Sequence, residues 1–353
     1  MSWLKLLVSL CVFYLVGCSK QATPDGLMHT YIERVANVID ETATWEATTP
    51  PSLPPTRLRL QNAVEIREGL IDVLVFRKCD LLPLIAERNS SLGKLAAPSQ
   101  RMIYEIKFIQ QLSTCLAKID ADPELDLETK QRVHQVYDTK LSNLPTILWN
   151  AVYTGQEIET SLAANLAPLP LSMNSHETLL RHLQALSSFV TQALTAPQTV
   201  QSALLTDIES TYEALYRDPM GTPIIKSLLL LEGTLNTVAD LIEKRLIRRP
   251  MCFYQMSNPK ADILKNVFMQ FYAAQIQPYM ASVHKIGDSW LSSHEKMLML
   301  LPVPREMQSY TAQVFMKSTE TSIWRRYITA RDRHTAAWKS ILEQCNLLPK
   351  APE

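Results

Sequence analysis

The side chains that could do chemistry in this chain are serines near lysines, histidines near carboxylates, and six cysteines. Ser91-Leu92-Gly93-Lys94 places a serine one helical turn from a lysine, where the amine can take the hydroxyl proton and create a nucleophile. The same S-x-x-K spacing also starts at Ser2, Ser257, Ser282 and Ser293, and no K-T-G follows, so it carries almost no information. The histidines, at 29, 134, 176, 182, 284, 294 and 334, never form H-E-x-x-H. His176-Glu177 and His294-Glu295 both lack the second histidine that would put two ring nitrogens around one metal. His134 and Asp138, one turn apart, are expected to pair at the surface. Asp120 and Asp122 read as solvated carboxylates of an acidic loop. No catalytic residue, metal ligand or cofactor is assigned from these patterns.

Cys18 is the exception. Residues 1–17 hold Lys5, an apolar run of eleven residues from Leu6 to Val16, and a small residue, Gly17. That is the plan of an export signal, and the run is well short of the ~20 residues a permanent transmembrane helix needs. Leu15-Val16-Gly17-Cys18 resembles the lipobox of bacterial lipoproteins, which implies that Cys18 becomes the mature N-terminus and carries a diacylglycerol. Each buried CH₂ contributes roughly 0.8 kcal/mol, so several acyl chains hold a protein on a bilayer without a spanning helix. Ser19 stands where many inner-membrane lipoproteins carry Asp, which points to the outer membrane. The expected location is the cell envelope, facing the periplasm.

With Cys11 in the leader and Cys18 acylated, Cys79, Cys115, Cys252 and Cys345 remain for an oxidising compartment. Four cysteines allow three pairings. Cys79–Cys115 and Cys252–Cys345 are favoured because each pair stays within one half of the chain. No two of them sit at C-x₂₋₄-C spacing, which argues against zinc.

Composition limits the rest. Eight glycines in 353 residues compare with a usual ~7 %. The two nearest, Gly17 and Gly26, lie nine positions apart, so G-x-G-x-x-G, G-x-x-x-x-G-K and G-x-S-x-G are all impossible here. Scarce glycine also argues against tight hairpins and a β-rich fold. Lys+Arg and Asp+Glu both number 35, and losing Lys5 leaves one acidic residue in excess, which gives no reason to expect nucleic acid.

Periodicity supplies helices and little else. The spacing predicts helices over about 25–42, 61–79, 82–90, 99–119, 126–154, 175–195, 199–217, 221–247, 260–300 and 310–345, plus a short one ending near Asn165. Met102, Ile106, Ile109, Leu112, Leu116 and Ile119 form a sustained apolar stripe. Pro145 and Pro278 should kink or divide their helices, and Gly93 should end one at positive φ. The expected fold is all-α, a multi-helix bundle that divides most naturally into two packed subdomains. These are 25–165, with a proline-rich spacer at 43–58, and 175–346, joined by a linker at 166–174. Residues 18–24 form the lipidated tether.

Two clusters stand out on these elements. Trp324, Tyr327, Arg331, His334 and Trp338, with Arg325, make one mixed aromatic and basic face. It reads first as core and, more sharply, as a contact site for acidic glycan or lipid head groups. Arg88, Asn89 and Tyr104 read as a polar buried network near Cys79 and Cys115.

The lipobox, the proline connector, Cys79-Asp80-Leu81, Glu87 through Lys94 and Ser99 through Glu105 together resemble a family of gammaproteobacterial lipoproteins, domain of unknown function 3080. The resemblance is concentrated in residues 15–120. It implies envelope localisation and offers no catalytic residue to carry over. The expected role is a membrane-anchored helical scaffold or adaptor whose partners are the bilayer and another envelope protein. The alternatives are an enzyme acting on cell-wall glycan or lipid, which needs a pocket with two perturbed carboxyls, and a carrier of an apolar ligand between helices.

Overall fold

A computed structural model describes residues 23–45, 48–66, 74–172 and 176–348. Cys18 and the tether before Thr23 lie outside them. The elements are α1 (Pro24–Ile39), α2 (Leu82–Asn89), α3 (Pro98–Ala121), α4 (Leu127–Tyr153), α5 (Gln156–Ser161), α6 (His176–Thr195), α7 (Ser202–Arg217), α8 (Gly221–Arg248), α9, α10 (Arg305–Val314) and α11 (Ile323–Gln344). Helix α9 starts as Pro259–Val267, passes through a π-helical stretch, Phe268–Ile276, and continues as Gln277–Leu298. No strand forms among the described residues, only one isolated bridge between Phe253 and Met256. None of the described helices is long and apolar enough to cross a membrane.

Helix α8 is the axis. Its 28 residues are apolar on several sides, with Ile224, Leu228, Leu231, Leu235, Val238 and Ile242 among those buried, so it needs neighbours all round. Helix α11 packs along one side, α1 along another, and α9 along a third. Helices α3 and α4 form a closely packed antiparallel pair joined by a short turn. The turn stops α3 at Ala121 and restarts at Asp126, whose carboxylate accepts from Thr129 N at 2.7 Å as an N-cap.

The expected division at 166–174 is not a division of the core. One buried cluster draws on α1, α3, α4 and every helix from α6 to α11. The linker itself is pinned: Leu169 is buried, its N–H donates to Ser227 Oγ at 2.9 Å, and its carbonyl accepts from Tyr279 Oη at 3.0 Å. A second, smaller cluster surrounds Phe76, Leu81, Phe108, Leu112 and Val133 beside Cys79 and Cys115. Both favoured disulfides form, Cys79–Cys115 and Cys252–Cys345, with Cα–Cα distances of 5.5 and 5.1 Å.

Several sequence expectations need correction. The helix over 61–79 does not cover its first part: 60–66 is not helical, 67–73 lies outside the described residues, and Leu74 and Val75 are helical before the tighter turn Phe76–Cys79. The helix over 310–345 is two helices, because Ser322 caps a new one by accepting from Arg325 N at 3.1 Å. Pro145 does not break α4, which runs on through buried Ile147, Leu148 and Trp149. Pro278 follows the π-helical stretch, whose wider turn relieves the clash of its ring with the preceding turn.

The proline-rich segment is a strap rather than a free spacer. It ends in a helical turn, Thr56–Arg59, whose Arg59 is 1 % exposed and ion-paired to Glu159 while donating to the Tyr153 and Pro54 carbonyls. Beyond it, α4 grips the extended backbone. Asn150 and Asn143, two turns apart, hold Gln61 and Val64 respectively, each amide both accepting from N–H and donating to C=O.

Candidate functional site

The strap, α2, α3 and α4 enclose a cleft of about 590 Å³. Ligand pockets typically measure roughly 300–1,000 Å³, so a small molecule or a side chain of a partner fits. Its apolar floor is Phe76, Ile85, Tyr104 and Phe108, with Phe108 edge-on to Phe76 at 6.1 Å and tilted against Tyr104 at 5.9 Å.

Four cations and two carboxylates line it. Lys140 and Glu105 satisfy each other at 2.7 Å in a nearly buried pair, with the ammonium 4.6 Å from the Phe108 ring centre and 5.0 Å from that of Tyr104. Arg88, Lys94 and Arg101 have no carboxylate within ion-pairing distance among the described residues. Arg88 and Arg101 both bear on the Tyr104 phenol, whose pKa is nevertheless pushed well up, first by burial and then by the Glu105 charge.

Local geometry sets the upper lip. Ser90 caps the short helix Ser91–Lys94 by accepting from Gly93 N at 3.0 Å, and Arg88 Nη1 donates to Gly93 O at 2.9 Å. Gly93 does not take the positive φ expected of it. It is needed because a Cβ there would lie 2.1 Å from the Glu87 carbonyl oxygen. The lip leaves Leu92 and Leu95 standing out at 83 and 85 % exposure beside Lys94. Ser91 and Lys94 share this turn without a hydrogen bond between them, and Ser91 is exposed.

A second concavity lies between α5, α6, α7 and α9, lined by Leu179, Leu183, Tyr212, Glu157, Asp218 and His294 among others. Its free volume is about 40 Å³, room for about three waters at ~10–15 Å³ each. Burial raises the Glu157 carboxyl above its usual range and pushes His294 down to about 3. Glu157 folds back over Gly155, where a Cβ would meet its Oε2 at 2.3 Å. The Tyr212 hydroxyl has no hydrogen-bond partner among the described residues.

The aromatic face of α11 is turned inward. Trp324, Tyr327, His334 and Trp338 are buried against the rest of the bundle, because α11 packs along α8 and these rings meet Phe268, Tyr272 and His284 of α9 and Tyr31 of α1. Of the two arginines read into that face, Arg331 pairs with Asp332 and Arg325 stays exposed. The first reading of that face, as core, holds, and these aromatics do not form the contact site offered as the sharper reading. His134 pairs with Asp120 at 2.8 Å across the α3–α4 turn instead of with Asp138, and Asp122 is ion-paired to Lys78, which lowers its pKa. No three metal-ligating side chains come together among the described residues.

Arg88, Asn89 and Tyr104, read from sequence as one network, do meet, but as the wall of an open cleft. The sequence reading missed Arg101, Lys140 and Asn143. Their spacing carried no signal, since only the packing of α3 on α4 brings them opposite Arg88. No curated protein and no solved structure matches the chain. The family model described as "Protein of unknown function (DUF3080)" matches residues 28–349, and the chain belongs to that family.

Proposed function

We propose that this protein is a lipid-tethered component of the bacterial envelope, anchored through Cys18 in the outer membrane and facing the periplasm. Its helical body acts as an adaptor that binds an acidic group of another envelope protein in the Arg88–Lys94–Arg101 cleft. The observation that carries the reading is the set of three cations with no carboxylate partner among the described residues, over an aromatic floor and beside the exposed Leu92 and Leu95. Guanidinium groups recognise carboxylates in two-point geometry, and exposed apolar side chains beside them supply desolvated contact area. The strap and the Cys79–Cys115 disulfide hold the cleft walls in place before any ligand arrives, which lowers the ordering cost of binding.

The test is a photo-crosslinking residue in place of Asn89 in the full chain, expressed in its host. One predominant protein adduct, lost in Arg88→Glu and Arg101→Glu backgrounds, supports the adaptor. An adduct that survives both charge reversals removes the cleft from the account. Separately, a Cys18→Ala chain that is still processed and membrane-bound would remove the anchor.

One observation favours an enzyme: Glu157, with its raised pKa, and Asp218 line the same cavity. A cavity of about 40 Å³ holds waters rather than a sugar ring or acyl chain, so the larger cleft is preferred.

A further inference from the structure

A two-residue turn without glycine stands where α1, α8 and α11 end. Met256 N donates to Phe253 O at 3.1 Å, and the central residues, Tyr254 and Gln255, have φ of 52° and 57°. Positive φ at both positions is the pattern of a type I′ hairpin, which Asn-Gly adopts freely and which tyrosine and glutamine adopt under steric strain. The base of the turn is held from several sides. Cys252 is bonded to Cys345, Gln344 Oε1 accepts from the Met251 and Cys252 amides, and Asn258 Nδ2 donates to Met251 O at 2.9 Å.

What this base holds up is apolar. Phe253, Tyr254 and Met256 are 55, 92 and 65 % exposed, and Ile247, at the end of α8, is also exposed. Lys244, Arg248 and Arg249 stand at the end of α8, before the turn, and Lys260 and Lys265 stand in the first turns of α9, after it. Asp40 and Glu41 neutralise part of this charge through Lys260, Lys244 and Arg248, while Arg249 and Lys265 have no carboxylate partner among the described residues. The tip is a two-residue turn that exposes three apolar side chains. A protein hot spot sits instead within a broad patch that seals it from water.

We propose that this turn inserts into the headgroup layer of a bilayer containing anionic phospholipid, with the aromatic tip at the acyl boundary and the collar against phosphates. The contact needs no lipid on Cys18 and is separate from the cleft. Asp40, at the C-terminal end of α1, pairs with Lys260 beside the turn, so Thr23 and the turn lie at opposite ends of that helix. A body tethered through its N-terminus and docked on the same bilayer therefore lies with α1 along the surface.

The experiment uses full-length Tyr254→Trp, read as the emission difference from the wild-type chain. The vesicles are phosphatidylcholine with added phosphatidylglycerol, carrying brominated acyl chains. The signal of the introduced indole is expected to be quenched most by bromines nearest the headgroups, and Arg249→Gln in the same chain to lower the docked-to-free ratio about fivefold. Phe253→Ser combined with Met256→Ser should abolish the quenching while leaving the circular dichroism unchanged. An indole that stays water-exposed on these vesicles overturns the proposal. So does quenching that is equal on phosphatidylcholine alone and indifferent to Arg249→Gln.

Discussion

Asn150 of α4 holds Gln61 by both of its peptide groups: Gln61 N donates to Asn150 Oδ1 at 3.0 Å, and Asn150 Nδ2 donates to Gln61 O at 2.8 Å. A helix has no free main-chain groups along its side, so one carboxamide supplies what a neighbouring strand would. Asn143 repeats the device on Val64 two turns earlier. Replacing Asn150 with Ala leaves two peptide groups of the strap unsatisfied and should cost roughly 2 kcal/mol. Urea unfolding measures the loss, and limited proteolysis should then cut within 60–66. If the variant keeps both its stability and its protease resistance, the strap is held by something else.

Acid should weaken the fold through two buried histidines. His334 Nε2 lies 2.8 Å from Tyr31 Oη, and Trp338 Nε1 donates to Tyr31 Oη at 2.8 Å and lies 3.1 Å from His334 Nε2. Burial pushes both His334 and His294 down to about 3. Between that value and about 6.5, the unfolded chain binds protons that the native one does not. Stability is therefore complete above about pH 6.5 and falls with pH by about 1.4 kcal/mol per unit for each ring. Between about pH 7 and about pH 5 the two together should cost about 4 kcal/mol, and His334→Gln should halve that dependence. Equal urea midpoints at the two pH values would contradict this.

The disulfides should contribute unequally. Cys252–Cys345 spans 93 residues and Cys79–Cys115 spans 36. Chain entropy then gives roughly 4.5 and roughly 4 kcal/mol. The double variant Cys252→Ala, Cys345→Ala should lower the urea midpoint more than Cys79→Ala, Cys115→Ala does. The reverse order would mean that native-state packing near Cys79 outweighs loop length.

The turn at Tyr254 and Gln255 should be improvable. Tyr254→Asn with Gln255→Gly removes two strained positive-φ residues and should raise stability by about 2 kcal/mol. Thermal unfolding checks it. A gain in Tm together with loss of vesicle contact would show that the turn's residues serve the contact rather than the fold.

The all-α class, the placement of α3, α4, α6 and α8 to within a few residues, and the cysteine pairs were legible because they rest on local or countable properties. Apolar residues at i, i+3 and i+4 demand a buried helical face wherever it packs. A chain whose nearest glycines lie nine positions apart cannot build the common glycine-rich phosphate loops. The course of 60–66 was not legible. Its apolar residues at helical spacing lost to the partners that Asn143 and Asn150 offer from 79 and 89 residues away. The same holds for the faces. Trp324, Tyr327 and Trp338 formed an apolar stripe in sequence, yet only packing against α8 and α9 decided that the stripe is core. Arg88, Lys94 and Arg101 became a cleft only when α2 closed over α3, because convergence of like charges depends on distances that spacing along the chain does not encode.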